Sequence, residues 1–311
     1  MSILIAADFT PGEWADWLPA LRAALPAETL LDSRANADLA AIDVAIVANP
    51  PPGALAGLPR LRLVQSLWAG VEKLLADPTI PAQVPLARMV DPAMNEAMAE
   101  TALWAVLSLQ RDFFDYAQQQ RAGRWGPHPQ RAAGETAVTV LGLGQMGRTV
   151  ALRLARNGYR VTGWSARPAA IAGVRTLAGD DALAPAVAAA QVLVNLLPLT
   201  PATRGIIDAR LIAALPRGAS IVNLARGAHL VEAELLDALA SGQIRHAVLD
   251  VFASEPLPAQ HPFWSHPQVT VLPHVAAQTD ARTASALVAA NVAALRAGRP
   301  LQHVVDRARA Y

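Results

Sequence analysis

Residues 138–161 read VTVLGLGQMGRTVALRLARNGYRV, and the fold turns on how this stretch is read. Gly142, Gly144 and Gly147 are spaced G-x-G-x-x-G. Three glycines at that spacing occur by chance in many loops, so the context decides. An apolar run, AVTVLG (137–142), precedes them, and a helical pattern with Val150, Ala151 and Leu154 on one face follows. Asn157-Gly158 supplies a helix C-cap, and RVTGW (160–164) opens a second strand, closing a βαβ unit of about 30 residues. In such a unit the first glycine permits a tight turn. The second lets backbone approach a pyrophosphate, and the third lets helix and strand pack closely. The N–H groups of Gln145 and Met146, at the start of the helix, then face the phosphates. The competing reading is an ordinary βα turn.

The adjoining stretch RVTGWSARP (160–168) has no acid where a dinucleotide site usually carries one for the adenosine ribose, ~20 residues past the loop. That position falls on Ser165. Ser165 can donate to a 2′-phosphate, and Arg167 can pair with it through charge-assisted bonds. Arg160 and Arg175 are expected to add positive charge nearby. The expected cofactor is therefore NADP(H), with NAD(H) as the alternative. The competing reading of Arg167 is a solvated surface arginine.

Working outward, strand-length apolar runs recur on both sides. Before the glycine loop they are SILIAA (2–7), DVAIVA (43–48), LRLVQSL (61–67) and PLARMV (85–90), with a helical pattern at 14–25. After it come QVLVNLL (191–197), SIVNLA (220–225), HAVLDVF (246–252) and VTVLP (269–273), then a helix from about 280 to 297. This alternation predicts an α/β fold with two doubly wound parallel sheets. Residues 91–121 read as one long helix with two apolar stripes, one through Met98, Ala102, Ala105, Leu109 and Phe113. The stripes fit either a partner subunit on one side or burial wholly within one subunit.

Ligands of open α/β sheets bind outside the carboxyl ends of the strands. In the second series those ends carry Leu197 and Pro198, Leu224 and Arg226, Asp250 and Glu255, and His274. One guanidinium, one carboxylate and one imidazole suit reduction of a ketone beside a nicotinamide. His274, held protonated by Glu255, can give a proton to the oxygen, and Arg226 can fork onto a substrate carboxylate. Each of the three taken alone is more often structural; their joint placement on one edge lifts them.

Composition narrows the alternatives. The 311 residues are 53% hydrophobic and 16% charged with net charge +1, which fits a well-packed protein and gives no electrostatic case for nucleic acid. There is no cysteine, hence no thiolate metal site and no Cys nucleophile; no metal is expected. Lys73 is the only lysine, and no Tyr-x-x-x-Lys pairing of the short-chain dehydrogenases exists. No apolar run is long enough for a membrane span, and the N-terminus reads as a first strand, so a cytoplasmic protein is expected.

The chain resembles the D-2-hydroxyacid dehydrogenases, and within them the bacterial glyoxylate/hydroxypyruvate reductases of type A. The stretches that carry this are VLGLGQMGRTVA, LRLVQSLWAGVE, NLLPLTPATRGII, IVNLARGAHLVEAELLDAL, HAVLDVFASEPLP, VTVLPHVAAQT and the closing VDRARAY. The resemblance implies a Rossmann domain, 99–278, inserted into a flavodoxin-like substrate domain, 1–98 and 279–311, with the active site in the cleft between them. It implies substrate binding by Arg226 and by Trp68, Ala69 and Gly70 of the loop SLWAGV (66–71). It implies a Glu255–His274 proton donor, and Asp250 on the nicotinamide carboxamide, with Leu197, Pro198, Leu224 and His274 also along the cofactor. It implies a homodimer. Trp68 stands where the family often has a small residue, and VANPPP (47–52) lacks an expected aromatic, whose space Trp68 is positioned to fill. These departures bear on the substrate. A dehydrogenase of bulkier 2-oxoacids is the alternative, followed by a dinucleotide-sensing binding module.

Overall fold

The protein is described from a computed structural model covering residues 1–35 and 37–309; the last two residues of the closing VDRARAY stretch lie outside the described residues. The chain divides into two compact units, Met1–Met94 with Thr279–Tyr311, and Asn95–Gln278. The first unit is thus made from both ends of the chain.

The first unit begins β1 (Ser2–Ala7), α1 (Pro11–Ala24), β2 (Thr29–Leu31), β3 (Ile42–Ala48), β4 (Leu63–Ser66), α2 (Glu72–Ala76) and β5 (Leu86–Ala87). Helix α1 starts at a capping box: Thr10 accepts from the Glu13 N–H at 3.3 Å while the Glu13 carboxylate accepts from the Thr10 N–H at 2.8 Å. The strands pair in parallel in the order β2-β1-β3-β4-β5, the flavodoxin-like arrangement. Every residue of β3 is buried, as a central parallel strand requires.

The next helices are α3 (Pro92–Gln110) and α4 (Phe113–Arg121). The single helix expected over 91–121 is therefore broken. Asp112 sits at φ +57, in the left-handed region that Asp tolerates better than most residues. Arg245 holds the break by pairing with the Asp112 carboxylate and donating to the Leu109 carbonyl at the end of α3. A partner 133 residues away in sequence leaves no local signal.

The second unit continues with β6 (Ala137–Leu141), α5 (Gln145–Arg156), β7 (Arg160–Ser165), β8 (Arg175–Ala178), α6 (Leu183–Val187) and β9 (Val192–Asn195). Then come α7 (Ala209–Ala214), β10 (Ala219–Asn223), α8 (Glu232–Ala240), β11 (Ile244–Leu249) and β12 (Val269–Val271). Its seven strands pair in parallel in the order β12-β11-β10-β9-β6-β7-β8, a Rossmann order with an added edge strand. Both expected sheets are present, and the short edge strands β2 and β8 are additions to the sequence reading.

Both faces of this sheet are filled. Val140, Val194, Val222 and Val248 face the cluster with Ala102, Ala105 and Val106 of α3. Leu193, Ile221, Ala247 and Leu249, alternating with them, face the cluster with Leu211, Leu235 and Leu239. Polar chemistry is thereby pushed to the strand ends. The last helix, α9 (Ala281–Arg296), returns to the first unit, where Arg296 pairs with Glu28 and Asp43.

Gly147 shows how closely α5 lies on the loop before it. A Cβ there would fall 1.7 Å from the Gly142 carbonyl oxygen. Gly147→Ala is expected to cost about 1–3 kcal/mol and to lower Tm in a thermal melt. An unchanged Tm would contradict this packing.

Candidate active site

The glycine loop has the geometry its sequence implies. Gly142 lies at φ +91, and a Cβ on it would strike the Leu196 carbonyl at 2.6 Å. Gly144 is the N-cap of α5 and has open space where a side chain would project. Gln145 and Met146 form the first turn of α5, whose N–H groups have no acceptor within the helix. A backbone cradle opening on a helix N-terminus fits a pyrophosphate.

The neighbouring strand end carries Ser165 and Arg167. β7 lies beside β6, with Leu141 paired to Trp164, so Ser165 ends its strand next to the glycine loop. The Ser165 hydroxyl donates to the Arg167 carbonyl at 2.6 Å and so shapes the turn that carries the exposed Arg167. Arg160 and Arg175 are not part of this site. Arg175 opens β8 level with Thr162, three residues short of Ser165, and Arg160 opens β7 at the opposite edge. Arg160 donates there to the Glu135 carbonyl.

Beneath the next two strand ends lies a buried polar network that the sequence reading missed. Asn195 ends β9 and Asn223 ends β10, and the register pairs them directly. Asn195 Nδ2 donates to Asn223 Oδ1 at 2.9 Å and contacts His229 Nδ1 at 3.0 Å. His229 Nε2 reaches the Pro198 carbonyl at 3.2 Å, which makes Nε2 the protonated nitrogen of a neutral ring. Asn195 Oδ1 accepts from the Leu197 N–H, the Asn195 carbonyl from the Leu224 N–H, and Asn223 Nδ2 donates to the Arg226 carbonyl at 3.0 Å. All three network side chains are fully buried. They fix the backbone that carries Leu197, Pro198, Leu224 and Arg226. The sequence did contain a signal: two strands ending in Asn, NLL and NLA.

Arg226, Glu255 and His274 are brought together. Glu255 Oε2 meets His274 Nδ1 at 2.7 Å, and Glu255 Oε1 accepts from the Phe252 N–H at 2.9 Å. The hydrogen bond that His274 donates to Glu255 raises the His274 pKa above its ordinary 6.5, against partial burial, with the Glu255 and Asp250 charges adding to the rise. Burial opposes ionisation of Glu255, yet the bonds from His274 and Phe252 bring its pKa below the usual value. The Arg226 guanidinium is near enough to favour ionised Glu255 and to oppose the charge on His274. With Nδ1 on the carboxylate, Nε2 of the half-exposed ring is the nitrogen left to meet a reacting oxygen. Gly227 lets this cluster close: a Cβ on it would lie 1.9 Å from the Phe252 carbonyl carbon.

Asp250 positions the imidazole. It is 1% exposed, and its Oδ1 accepts from the Val275 N–H at 2.7 Å. Ala276 N–H adds contacts of 3.2 and 3.1 Å, and the Asp250 carbonyl accepts from the His274 N–H at 2.9 Å. Burial raises its pKa, opposed by those N–H groups. His274 is held at φ +55, a strained conformation of the kind that gathers at functional sites.

In the first unit, the loop 66–71 is shaped by Ser66, whose hydroxyl accepts from the Trp68 N–H and donates to the Trp68 carbonyl, both at 3.0 Å. Among the described residues no hydrogen bond engages the N–H groups of Ala69 and Gly70, so two adjacent donors stand ready for an anion. The Trp68 ring packs on Phe9 and Trp17 at centroid distances of 6.3 and 5.8 Å, and its buried Nε1 has no partner. Among the described residues no group of three His, Cys, Asp or Glu could hold a metal, and no helix is long and apolar enough to cross a membrane.

Residues 103–276 match the family model for the D-isomer specific 2-hydroxyacid dehydrogenase, NAD binding domain. The chain is 41% identical over 300 residues to glyoxylate/hydroxypyruvate reductase A of Yersinia enterocolitica, covering 95% of this chain and 96% of that one. It is 43% identical to the protein of the same name from Serratia proteamaculans, covering 94% of each. Among solved structures it is similar to a D-isomer specific 2-hydroxyacid dehydrogenase from Xanthobacter autotrophicus Py2 in complex with NADPH and MES. That match has TM-score 0.95 and 41% identity, covering 100% of this chain and 99% of that one. It is also similar to an NADPH-dependent glyoxylate/hydroxypyruvate reductase from Sinorhizobium meliloti in complex with NADP and sulfate, at TM-score 0.94 and 34% identity, with both chains fully covered.

The Glu255–His274 bond can be tested without turnover. Glu255→Gln removes the charge that holds the proton on the ring, so the His274 pKa, followed by NMR of the imidazole, is expected to fall. A titration unchanged by the substitution would mean that the pair does not form.

Proposed function

This chain belongs to the D-isomer specific 2-hydroxyacid dehydrogenase family, and from that premise we propose that it is an NADPH-preferring reductase of glyoxylate and hydroxypyruvate. The observation that carries the reading is the charged hydrogen bond between Glu255 and His274 beside Arg226, on the edge of the sheet that also bears the glycine loop. The names of its curated relatives and the NADP-bound structures of its neighbours support the substrate class and the cofactor.

When bound, the nicotinamide supplies a hydride to the carbonyl carbon of the 2-oxoacid. The carbonyl π electrons then move onto oxygen. His274 Nε2 gives its proton to that oxygen, and the 2-hydroxyacid leaves a neutral imidazole hydrogen-bonded to Glu255. Arg226 binds the substrate carboxylate and draws on the carbonyl oxygen, which makes the carbon more electrophilic. In the first unit, Ala69 and Gly70 offer adjacent N–H groups suited to a carboxylate, beside Trp68. Gln145 and Met146 hold the pyrophosphate. Arg167, presented by the Ser165 turn, takes the 2′-phosphate. Leu197, Pro198 and Leu224 flank the cofactor, and Asp250 retains acceptor capacity for the carboxamide while holding His274.

The active species is proposed to be a cytoplasmic homodimer. Trp104, Leu107, Phe113 and Trp125 of the second unit are large apolar side chains left 39–98% exposed, which supports a subunit contact there. Trp104→Asp is expected to yield monomer by light scattering at concentrations where the wild type is a dimer. An unaltered mass would move the contact elsewhere.

Initial rates with glyoxylate and hydroxypyruvate, each with NADPH and NADH, test the reaction and the cofactor together. Faster turnover with NADPH is expected, and Arg167→Ala should narrow that preference by raising KM for NADPH alone. His274→Ala should cut kcat by roughly 10²–10⁴-fold. An Ala variant near wild-type turnover would overturn the proton-donor assignment.

A further inference from the structure

The opposite edge of the second sheet holds a cavity of about 170 Å³ that the reaction does not use. It lies at the amino ends of four adjacent strands. Thr136 precedes β6, Gln191 precedes β9, Pro216–Ser220 lead into β10, and Arg245 is the second residue of β11. Three arginines line it, Arg131, Arg217 and Arg245, and no carboxylate does. Arg245 is neutralised by Asp112 and Asp115. Arg131 and Arg217 form no ion pair among the described residues; Arg217 donates to the Ser241 carbonyl at 2.6 Å, and the Arg131 side chain makes no hydrogen bond.

A second observation marks the same place. Thr136 is 2% exposed, and its hydroxyl has no hydrogen-bond partner. A buried polar group left unpaired costs about 1–3 kcal/mol, so a hydroxyl in the same lining as two guanidinium groups without a counter-charge calls for a ligand with acceptor oxygens. Ser220, also buried, adds another hydroxyl to the lining, and Gln110 is held against the Arg131 carbonyl through its amide. Stabilisation of the α8 C-terminus through Ser241 would explain Arg217, but not Arg131 or Thr136.

We propose that this cavity binds a small oxyanion, phosphate or a compact polycarboxylate, at a site separate from both the substrate and the cofactor 2′-phosphate. Arg131 and Arg217 supply the charge, and Thr136 and Ser220 donate to the anion oxygens. The arginines sit on loops before the strands, while Thr136 and Ser220 are fixed by the sheet. The anion therefore ties the 122–135 segment to the start of β6 and β10.

The test is the thermal stability of the full-length protein against inorganic phosphate at constant ionic strength, repeated with citrate. It compares wild type, Arg131→Ala, the double variant Arg131→Ala/Arg217→Ala, and Thr136→Val. Anion binding at the active site adds equally to all four and cancels in the comparison. Phosphate at about ten times its dissociation constant should raise the wild-type Tm by roughly 3 °C, and the double variant should lose most of that rise. Arg131→Ala removes an exposed side chain without internal bonds, so it folds and keeps the test decisive. Thr136→Val should melt higher than wild type without phosphate, because an unpaired hydroxyl is gone, and should gain less when phosphate is added. A larger rise with citrate than with phosphate would assign the site to polycarboxylates. The same anion dependence in all four proteins would overturn the proposal.

Discussion

The buried carboxylate of Asp250 is the constraint on which the reactive edge of the second unit depends. It accepts from the backbone at Val275 and Ala276, while its own N–H donates to the Asn223 carbonyl and its carbonyl accepts from His274. One residue thus ties the end of β11 to the end of β10 and to the turn that carries the imidazole. Asn223 extends the tie to Asn195 and to the Arg226 carbonyl, and His229 extends it to Pro198. A side chain with few rotatable bonds, buried and held by several donors, fixes geometry at little entropic cost. Loops that would otherwise wander are held to a common frame by groups that belong to the sheet.

That frame exists because both faces of the sheet are spent on packing. Valines on one side and leucine or isoleucine on the other fill the layers above and below β9, β10 and β11. The charged side chains of β9, β10 and β11 and the loops after them therefore gather where strands begin or end. Strand direction then sorts them. Ser165, Arg226, Asp250 and His274 fall at or just beyond carboxyl ends, whereas Arg160, Arg175 and Arg245 fall at amino ends. Two residues five apart in one strand, such as Arg160 and Ser165, are about 17 Å apart in space, so proximity in sequence misleads in an extended segment.

Legibility in the sequence followed the range of the forces at work. The long apolar runs, the glycine loop and the capped helix α5 are set by neighbours within a few residues, and all were readable. β2 and β8 were not, because they are three and four residues long and partly exposed at sheet edges, without a buried face to impose a pattern. The break between α3 and α4 was hidden because Asp112 is held by Arg245, far along the chain. His229 was passed over as one histidine among seven, although its ring is bonded to the strand-end Asn195.

The sequence by itself determined the two parallel sheets, the nucleotide loop and the identity of Arg226, Glu255 and His274. Each is written in a local pattern: a period of apolar residues, a glycine spacing, a polar residue directly after a strand. Only the tertiary structure decided which of these groups meet and in what state. The imidazole holds its proton more tightly than a free one because a carboxylate nineteen residues earlier lies 2.7 Å away. Arg175 is set apart from Ser165 because it opens its strand three residues below the level of that side chain, and the cavity at the amino edge is assembled from residues that span 109–245. Distance in space sets electrostatics and hydrogen bonding, and the chain order of a doubly wound sheet does not carry it.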